Sequence, residues 1–523
     1  MVFPTGIDTL RIMRTPGLIR VFAGLWFATL VAAAPLQTFP YPRPLPEPAA
    51  EKLPRWRGFN LLYKFNAQSA PTPEHVMEED FRLIASLGFN FVRLPLDYRG
   101  WIVGGDWERI DEAKLVEIDR IVALGGKYGV HVALNFHRAP GYTVAKPAES
   151  RSLWTEAEAQ RVCALHWAEF ARRYRGIPSA RLSFNLFNEP AGVTEAGYVA
   201  VVRQMAEAIR REDPERLILC DGLDYGNAPP LGLRALHVGL MTRGYRPMNI
   251  SHFRANWITG SDRWATPDWP APQVSAFLYG PMKQDLQSSL VLAGPLGGNV
   301  LQLHIDTVST RAKLRATSGD GTVVWEHDFQ PGPGEGEWKT VGYRAEWKSY
   351  ANIYDRTYTI DLPAQVSRVE LRVVEGDWLT LSSLTVGTGA TSRVLHPTNT
   401  WGLKQSGEVE FLGRDAEPAF RSPSQLDRAW LRDTCYGAWR EAQTAGLGVM
   451  IGEMGAFRHT PHPVVLRWME DLLVTAQGEN WGWALWEFRG PFGVLDSQRA
   501  DVTYERWEGH ALDRRLLDLL QKH

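Results

Sequence analysis

The chain has 523 residues, 44% of them hydrophobic and 22% charged, with a formal net charge of -2. That length is too great for one small core and asks for two or three domains, or one large barrel with an addition. The near-neutral balance leaves no electrostatic case for a nucleic acid or an anionic membrane surface as partner.

Residues 1–34 read as a signal peptide. Arg11, Arg14 and Arg20 precede "VFAGLWFATLVAAA", an apolar run that ends in small residues and is too short to span a bilayer. A secreted or periplasmic protein is expected, with an uncleaved N-terminal anchor as the alternative. Residues 35–54 are proline-rich and are expected to form an extended linker.

From residue 55 to 263, short apolar runs alternate with amphipathic helices. Strands are expected at "RWRGFN" (55–60), "FNFVRLP" (89–95), "VHVALNFH" (130–137), "RLSFNLFNEP" (181–190) and "RLILCDG" (216–222), with a sixth at "MNISHF" (248–253). Helices are expected between them, at 78–88, 110–129, 155–174 and 197–213. The pattern returns over 401–523, with strands at "LGVMIGEMG" (447–455) and "WGWALWEF" (481–488). Eight continuously apolar strands separated by helices argue for an α/β fold, a (β/α)8 TIM barrel. An open doubly wound sheet is the alternative, but no glycine-rich phosphate loop follows the first strand.

Residues 264–400 break this rhythm. Prolines at 267, 270 and 272 open the segment. Short alternating strands follow, with a Gly/Pro turn roughly every ten residues, the signature of an antiparallel β-sandwich. An inserted β-sandwich domain between barrel strands six and seven is therefore expected. The three cysteines, Cys163, Cys220 and Cys435, have no metal-ligand spacing and read as buried free thiols. No cofactor and no metal are expected, and the chain is expected to be a monomer.

Barrels of this type build their sites at the C-terminal ends of the strands. Those ends carry Arg93, Asn135 with His137, Asn188 with Glu189, His252, Glu453 and Trp486. Any one of these has a bland structural reading, but together they place two carboxylates, an arginine, two histidines, two amides and a tryptophan around one mouth. Two carboxyl groups in different environments suit cleavage of a glycosidic bond, one protonating the leaving oxygen and the other staying ionised. Arg93 is placed to hold Glu453 ionised. Asn188 suits a sugar 2-hydroxyl and Trp486 a platform under the ring. Pro190 is expected to hold Glu189 extended. The 21 Trp residues fit either sugar stacking or a large core; Trp56, Tyr98, Trp101, Tyr142, Trp154 and Trp257 are candidate platforms.

The stretches "RGFNL", "GFNFVRLP", "VALNFHRAPGY", "LSFNLFNEP", "SHFRANW", "IGEMGAF" and "WALWEFRGPFGVLD", in this order, resemble glycoside hydrolase family 5, the cellulase-like barrels. The resemblance implies a retaining mechanism with Glu189 as acid/base and Glu453 as nucleophile, roughly 5 Å apart, supported by Arg93, His137, Asn188, His252 and Trp486. The family follows its strand-six histidine with a tyrosine two residues on. Placed on His252, that position holds Arg254, and Tyr245 is a candidate to supply the hydroxyl instead. The insert resembles a carbohydrate-binding module, with Trp325, Trp338, Trp347 and Trp378 as a candidate face. The expected substrate is a β-linked glucan cleaved internally. The alternatives are an exo-acting glycosidase on a rarer β-glycoside, a barrel that binds carbohydrate without cleaving it, and a metal-dependent hydrolase built on His137 and His252.

Overall fold

The apolar runs become strands because a parallel sheet is buried on both faces and rewards continuous hydrophobicity. In the computed structural model eight such strands close into a barrel, paired in chain order and parallel throughout. They are Arg57–Asn60, Phe91–Asp97, His131–Arg138, Leu182–Asn185, Ile218–Asp221, Gly239–Gly244, Val449–Met454 and Gly482–Leu485. The structure describes residues 35–68, 72–345, 348–416 and 418–523, so the expected signal peptide lies outside the described residues. Residues Phe39–His523 form one unit. No described helix is long and apolar enough to cross a membrane. All three cysteines are buried and free.

Helices Glu74–Ser86, Glu112–Tyr128, Ala157–Arg173, Glu195–Glu212 and His462–Gly478 cover the barrel. Asp111 and Thr194 cap two of them by accepting backbone N–H bonds. Thr155 and Glu158 have the spacing of a capping box, yet that helix starts at Ala157 with no side-chain cap.

Residues 39–54 are extended but do not behave as a free linker. Phe39 donates its N–H to Ser86 O at 2.7 Å, and Gly448 donates to Ala50 O at 2.8 Å. Leu53 joins Trp56, Phe91, Ala133, Leu219, Met241 and Ala484 in the apolar cluster at the barrel's centre. Burial of Leu53 removes apolar surface from water, so the segment is bound to the barrel.

Strand six is Gly239–Gly244, not 248–253, which instead contains the short helix Met248–Ser251. Its glycines answer to close packing: a Cβ on Gly244 would lie 2.6 Å from Met454 Cβ. Before strand seven the helical segment is broken into Arg428–Trp430, a wider turn over Leu431–Cys435, and Gly437–Thr444.

Between strands six and seven the chain builds two six-stranded sheets packed face to face. Their inner faces alternate, as sandwich strands must: Leu301, Leu303 and Ile305 from one sheet meet Leu314, Leu371 and Val373 from the other. All pairings are antiparallel except that of Leu290–Ala293 with Glu408–Phe411. The sandwich runs past residue 400, because Glu408–Phe411 and Phe420–Arg421 complete its second sheet. At its base Ala271–Pro272 pairs with Gln425–Leu426, so the chain leaves and re-enters the barrel side by side.

Candidate active site

The strand ends deliver a buried polar network. Arg93, on strand two, lies fully buried and spends its donors on four partners. Its Nε bonds Asn185 Oδ1 at 2.8 Å, one terminal nitrogen bonds Asn60 Oδ1 at 3.1 Å and Glu453 Oε1 at 2.5 Å, and the other bonds Asn188 Oδ1 at 2.9 Å. A planar fork with five donors suits such a junction, and no lysine would replace it.

Glu453, at the end of strand seven, is buried and held from both sides. Arg93 takes Oε1, and the Tyr245 hydroxyl donates to Oε2 at 3.1 Å. Burial, followed by the charges of Glu453 and Glu189, keeps the Tyr245 hydroxyl well above its ordinary pKa. Tyr245 therefore stays a donor.

Glu189 is not extended. Its φ is 51°, in the left-handed region that a non-glycine residue enters at a cost. Strand four ends at Asn185, and three bonds fix the strained turn beyond it. The Glu189 N–H donates to Asp221 Oδ2 at 2.9 Å, its carbonyl accepts from Tyr142 Oη at 2.6 Å, and its carboxylate accepts from Arg243 Nε at 3.0 Å. These outweigh the extended preference that Pro190 imposes. The Glu189 carboxyl is pushed up to about 7 by burial first, then by the charge of Glu453, with Arg243 acting in the opposite sense.

Arg243, one of the residues that sequence reasoning missed, ties the site together. It closes strand six, and its guanidinium reaches Glu189 Oε1 at 3.0 Å, Glu453 Oε1 at 3.1 Å, Asn188 Oδ1 at 3.0 Å and the carboxylate of Asp221. Burial works against its charge, but Asp221, Glu453 and Glu189 together hold its pKa above the ordinary arginine value. Strand six thus ends Arg243-Gly244-Tyr245. Against the histidine-x-tyrosine pattern of the family, the tyrosine is present and an arginine stands where the histidine is expected. His252 and Arg254 are not that pair. His252 caps the helix after strand six. Its ring lies 5.1 Å from that of Tyr245, with Nδ1 at 2.8 Å from Ser251 Oγ, and burial brings its pKa down to about 4.

His137 packs between Phe65, at 4.6 Å, and Trp486, at 5.7 Å. Burial, then the Arg93 and Arg243 charges, hold it neutral. Asn135 donates to Asn185 O at 3.2 Å. Three buried atoms around the mouth have no partner among the described residues: Asn135 Oδ1, His137 Nδ1 and Asn188 Nδ2. A buried polar atom left unpaired is costly unless a ligand or water meets it. Trp486 lies half-buried beside Phe457 and Phe492, and Trp257, 53% exposed, extends that apolar rim.

Asp221, Asn60 and Asn185 also belong to the network. The signal for each was a polar residue closing an apolar run. Among the candidate platforms, Trp56 is fully buried at the barrel's centre and Trp101 bonds His166 Nδ1 at 3.0 Å, so both are structural. Tyr98 bonds Glu149, and Trp154 packs on Tyr142. In the sandwich, Trp325 and Trp378 sit on different sheets, and Trp338 lies in the loop before Thr340–Arg344. They do not share one face; Trp347 lies outside the described residues. No group of three or more His, Cys, Asp or Glu suited to a metal occurs among the described residues.

The parallel eight-stranded barrel thus carries two glutamates at one mouth, Glu189 in the turn after strand four and Glu453 in strand seven. The family model described as Cellulase (glycosyl hydrolase family 5) matches residues 49–239. It is 29% identical over 194 residues to Cellodextrinase A of Ruminococcus flavefaciens, covering 35% of this chain and 55% of that protein. It is 28% identical over 211 residues to Endoglucanase C of Acetivibrio thermocellus, covering 38% of this chain and 60% of that protein. The chain thus spans little more than half the length of these relatives. A solved structure described as a glycoside hydrolase superposes with a TM-score of 0.58 at 25% identity, covering 90% of this chain and 99% of that one.

Proposed function

We propose that the protein is a retaining β-glycoside hydrolase that cleaves β-linked glucan chains, with Glu189 as acid/base and Glu453 as nucleophile. The observation that carries this reading is the pair itself. The two carboxyls share one guanidinium, yet one is pushed up to about 7 while the other is clasped by Arg93 and Tyr245. The names of the matched relatives, a cellodextrinase and an endoglucanase, support a glucan substrate.

In the first step Glu453 attacks the anomeric carbon while protonated Glu189 gives its proton to the departing glycosidic oxygen, leaving a glycosyl ester on Glu453. In the second, Glu189 takes a proton from water, the water oxygen attacks the anomeric carbon, and the Glu453 carboxylate is released. The unpartnered atoms Asn188 Nδ2, His137 Nδ1 and Asn135 Oδ1 support a reading in which Asn188 bonds the 2-hydroxyl and the other two bond neighbouring hydroxyls, with Trp486 under the ring. The basic, apolar pattern of residues 11–34 supports export, and the enzyme is proposed to work as a secreted or periplasmic monomer.

The test is release of reducing sugar from a panel of β-glucans, mannans, xylans and aryl β-glycosides, with Glu453→Ala alongside. Activity on β-glucan that disappears in the variant is the expected result. A folded wild-type protein silent on the whole panel would sink the reading.

A further inference from the structure

Strand six presents Arg243, not a histidine, to the centre of the site, and strand five presents Asp221 to Arg243. Neither charge has a role in the double displacement as written above. Both are buried: Asp221 is fully enclosed and Arg243 nearly so. Asp221 accepts from Arg243, from Asn185 Nδ2 at 3.0 Å and from the Glu189 N–H at 2.9 Å. Arg243 in turn reaches Glu189, Glu453 and Asn188. One pair of residues therefore grips Glu189 twice, by its backbone through Asp221 and by its carboxyl through Arg243.

The charges within this hydrogen-bonded network can be counted. Arg93 and Arg243 supply two cations, and Asp221, Glu453 and Glu189 supply three carboxyls. His137 and His252 are held neutral. The buried set is electrically neutral when a single carboxyl carries a proton, and burying net charge is expensive. Of the three, Asp221 and Glu453 are enclosed, while the Glu189 side chain keeps 18% of its surface open. The group that can exchange a proton with substrate or solvent is the one gripped by the pair.

We propose that Arg243 and Asp221 are a positioning pair that fixes Glu189 in its left-handed turn and sets opposing electrostatic pressures on its carboxyl. Arg243 draws the proton off and Asp221 holds it on. Other groups facing Glu189 are Glu453 from strand seven, Arg93 from strand two through Asn188, Tyr245 after strand six and Tyr142 after strand three. The pair differs from these because both of its members bond Glu189 directly, Arg243 at the carboxylate and Asp221 at the backbone N–H, while bonded to each other.

The assignment rests on Glu189 as the acid/base, and opposite signs make it testable apart from that reading. Glu189 is followed by carboxyl-carbon NMR in protein labelled with carboxyl-13C glutamate, its signal identified by its loss in Glu189→Gln. In Arg243→Ala the titration midpoint moves up by about one pH unit or more, the scale of losing an opposite charge at hydrogen-bond distance. Guanidinium chloride at low millimolar concentration brings it back. In Asp221→Asn the midpoint moves down. Midpoints that stay put, or that move the same way in both variants, overturn the proposal, because general damage to the site would not separate by sign. If Arg243→Ala fails to fold, Arg243→Lys retains the cation without the fork. A midpoint near the wild-type value there, with a lowered one in Asp221→Asn, supports the pair; a raised or unmoved midpoint in Asp221→Asn overturns it. Sugar release is scored separately. A silent protein whose midpoints diverge loses the hydrolase reading and keeps the pair, and an active protein whose midpoints stay fixed does the reverse.

Discussion

Tyr245 donates its hydroxyl to Oε2 of Glu453 at 3.1 Å while Arg93 holds Oε1 of the same carboxylate at 2.5 Å. In the proposed mechanism the tyrosine bond must lengthen or break as Glu453 becomes an ester, whereas the arginine is locked by three amide partners. Tyr245→Phe is therefore expected to lower kcat by roughly 10²-fold, the scale of losing one preorganised donor, with little change in KM. Steady-state kinetics on an aryl β-glucoside measure it, and an unchanged kcat would remove Tyr245 from the chemistry.

The proposed roles of the two glutamates differ in their response to azide. Glu453→Ala should lose activity on the order of 10⁴-fold. Azide then enters the space of the missing carboxylate, and a single inversion gives an α-glycosyl azide. Glu189→Ala keeps the nucleophile, so azide attacks the ester and gives the β-glycosyl azide. NMR of the anomeric proton distinguishes the two. The same anomer from both variants would refute the assignment.

In the proposed mechanism Glu189 must be protonated to donate, and burial with the charge of Glu453 pushes its carboxyl up to about 7. The basic limb of the kcat/KM profile is expected near pH 7, falling as pH rises, and Glu189→Gln should abolish that limb. The same shift has a stability consequence. The folded value lies above the ordinary glutamate value of about 4.3, so the folded state binds the proton more tightly. The resulting stabilisation is complete below about pH 4.3 and is lost as pH rises through about 7. Thermal unfolding should show Glu189→Gln more stable than wild type at pH 8, and the advantage should vanish at pH 4.

Arg93 has no solvent to fall back on. Arg93→Met leaves Glu453 Oε1 and the oxygens of Asn60, Asn185 and Asn188 short of a buried donor. Breaking one side of a buried ion pair costs about 3–5 kcal/mol. Urea unfolding should register a loss on that scale, and a loss under about 1 kcal/mol would mean that the network reorganises.

Most barrel strands were legible because burial on both faces writes itself as an unbroken apolar run, as in "VALNF" or "RLILC". Strand six was not, for a reason visible in its contacts. Gly239 and Gly244 sit where neighbours leave no room for a side chain, and Arg243 ends the strand in a charge. A stretch reading "GLMTRG" looks like a turn. Missing the strand displaced the histidine-x-tyrosine pattern onto His252 and hid Arg243.

The site residues on the other strand ends were legible as residue types but not as a network. Nothing local says that Asn188 Oδ1 will be shared between Arg93 and Arg243, because both partners are distant in the chain. The left-handed turn at Glu189 was hidden for the same reason. The local rule before proline pointed to extended backbone, and the bonds that override it come from Asp221, Tyr142 and Arg243.

The two-residue neck joining Ala271–Pro272 to Gln425–Leu426 also bears on the order in which the chain folds. Strands six and seven must pair across everything between residues 245 and 448, and the entropy of closing a loop grows only logarithmically, by about 0.6 kcal/mol per doubling. A sandwich that forms first removes even that cost. Its own strands bring Pro272 and Gln425 together, so the unfolded barrel meets a short, already closed connection. With the neck paired, the connection left to close between strands six and seven shrinks to residues 245–270 and 427–448.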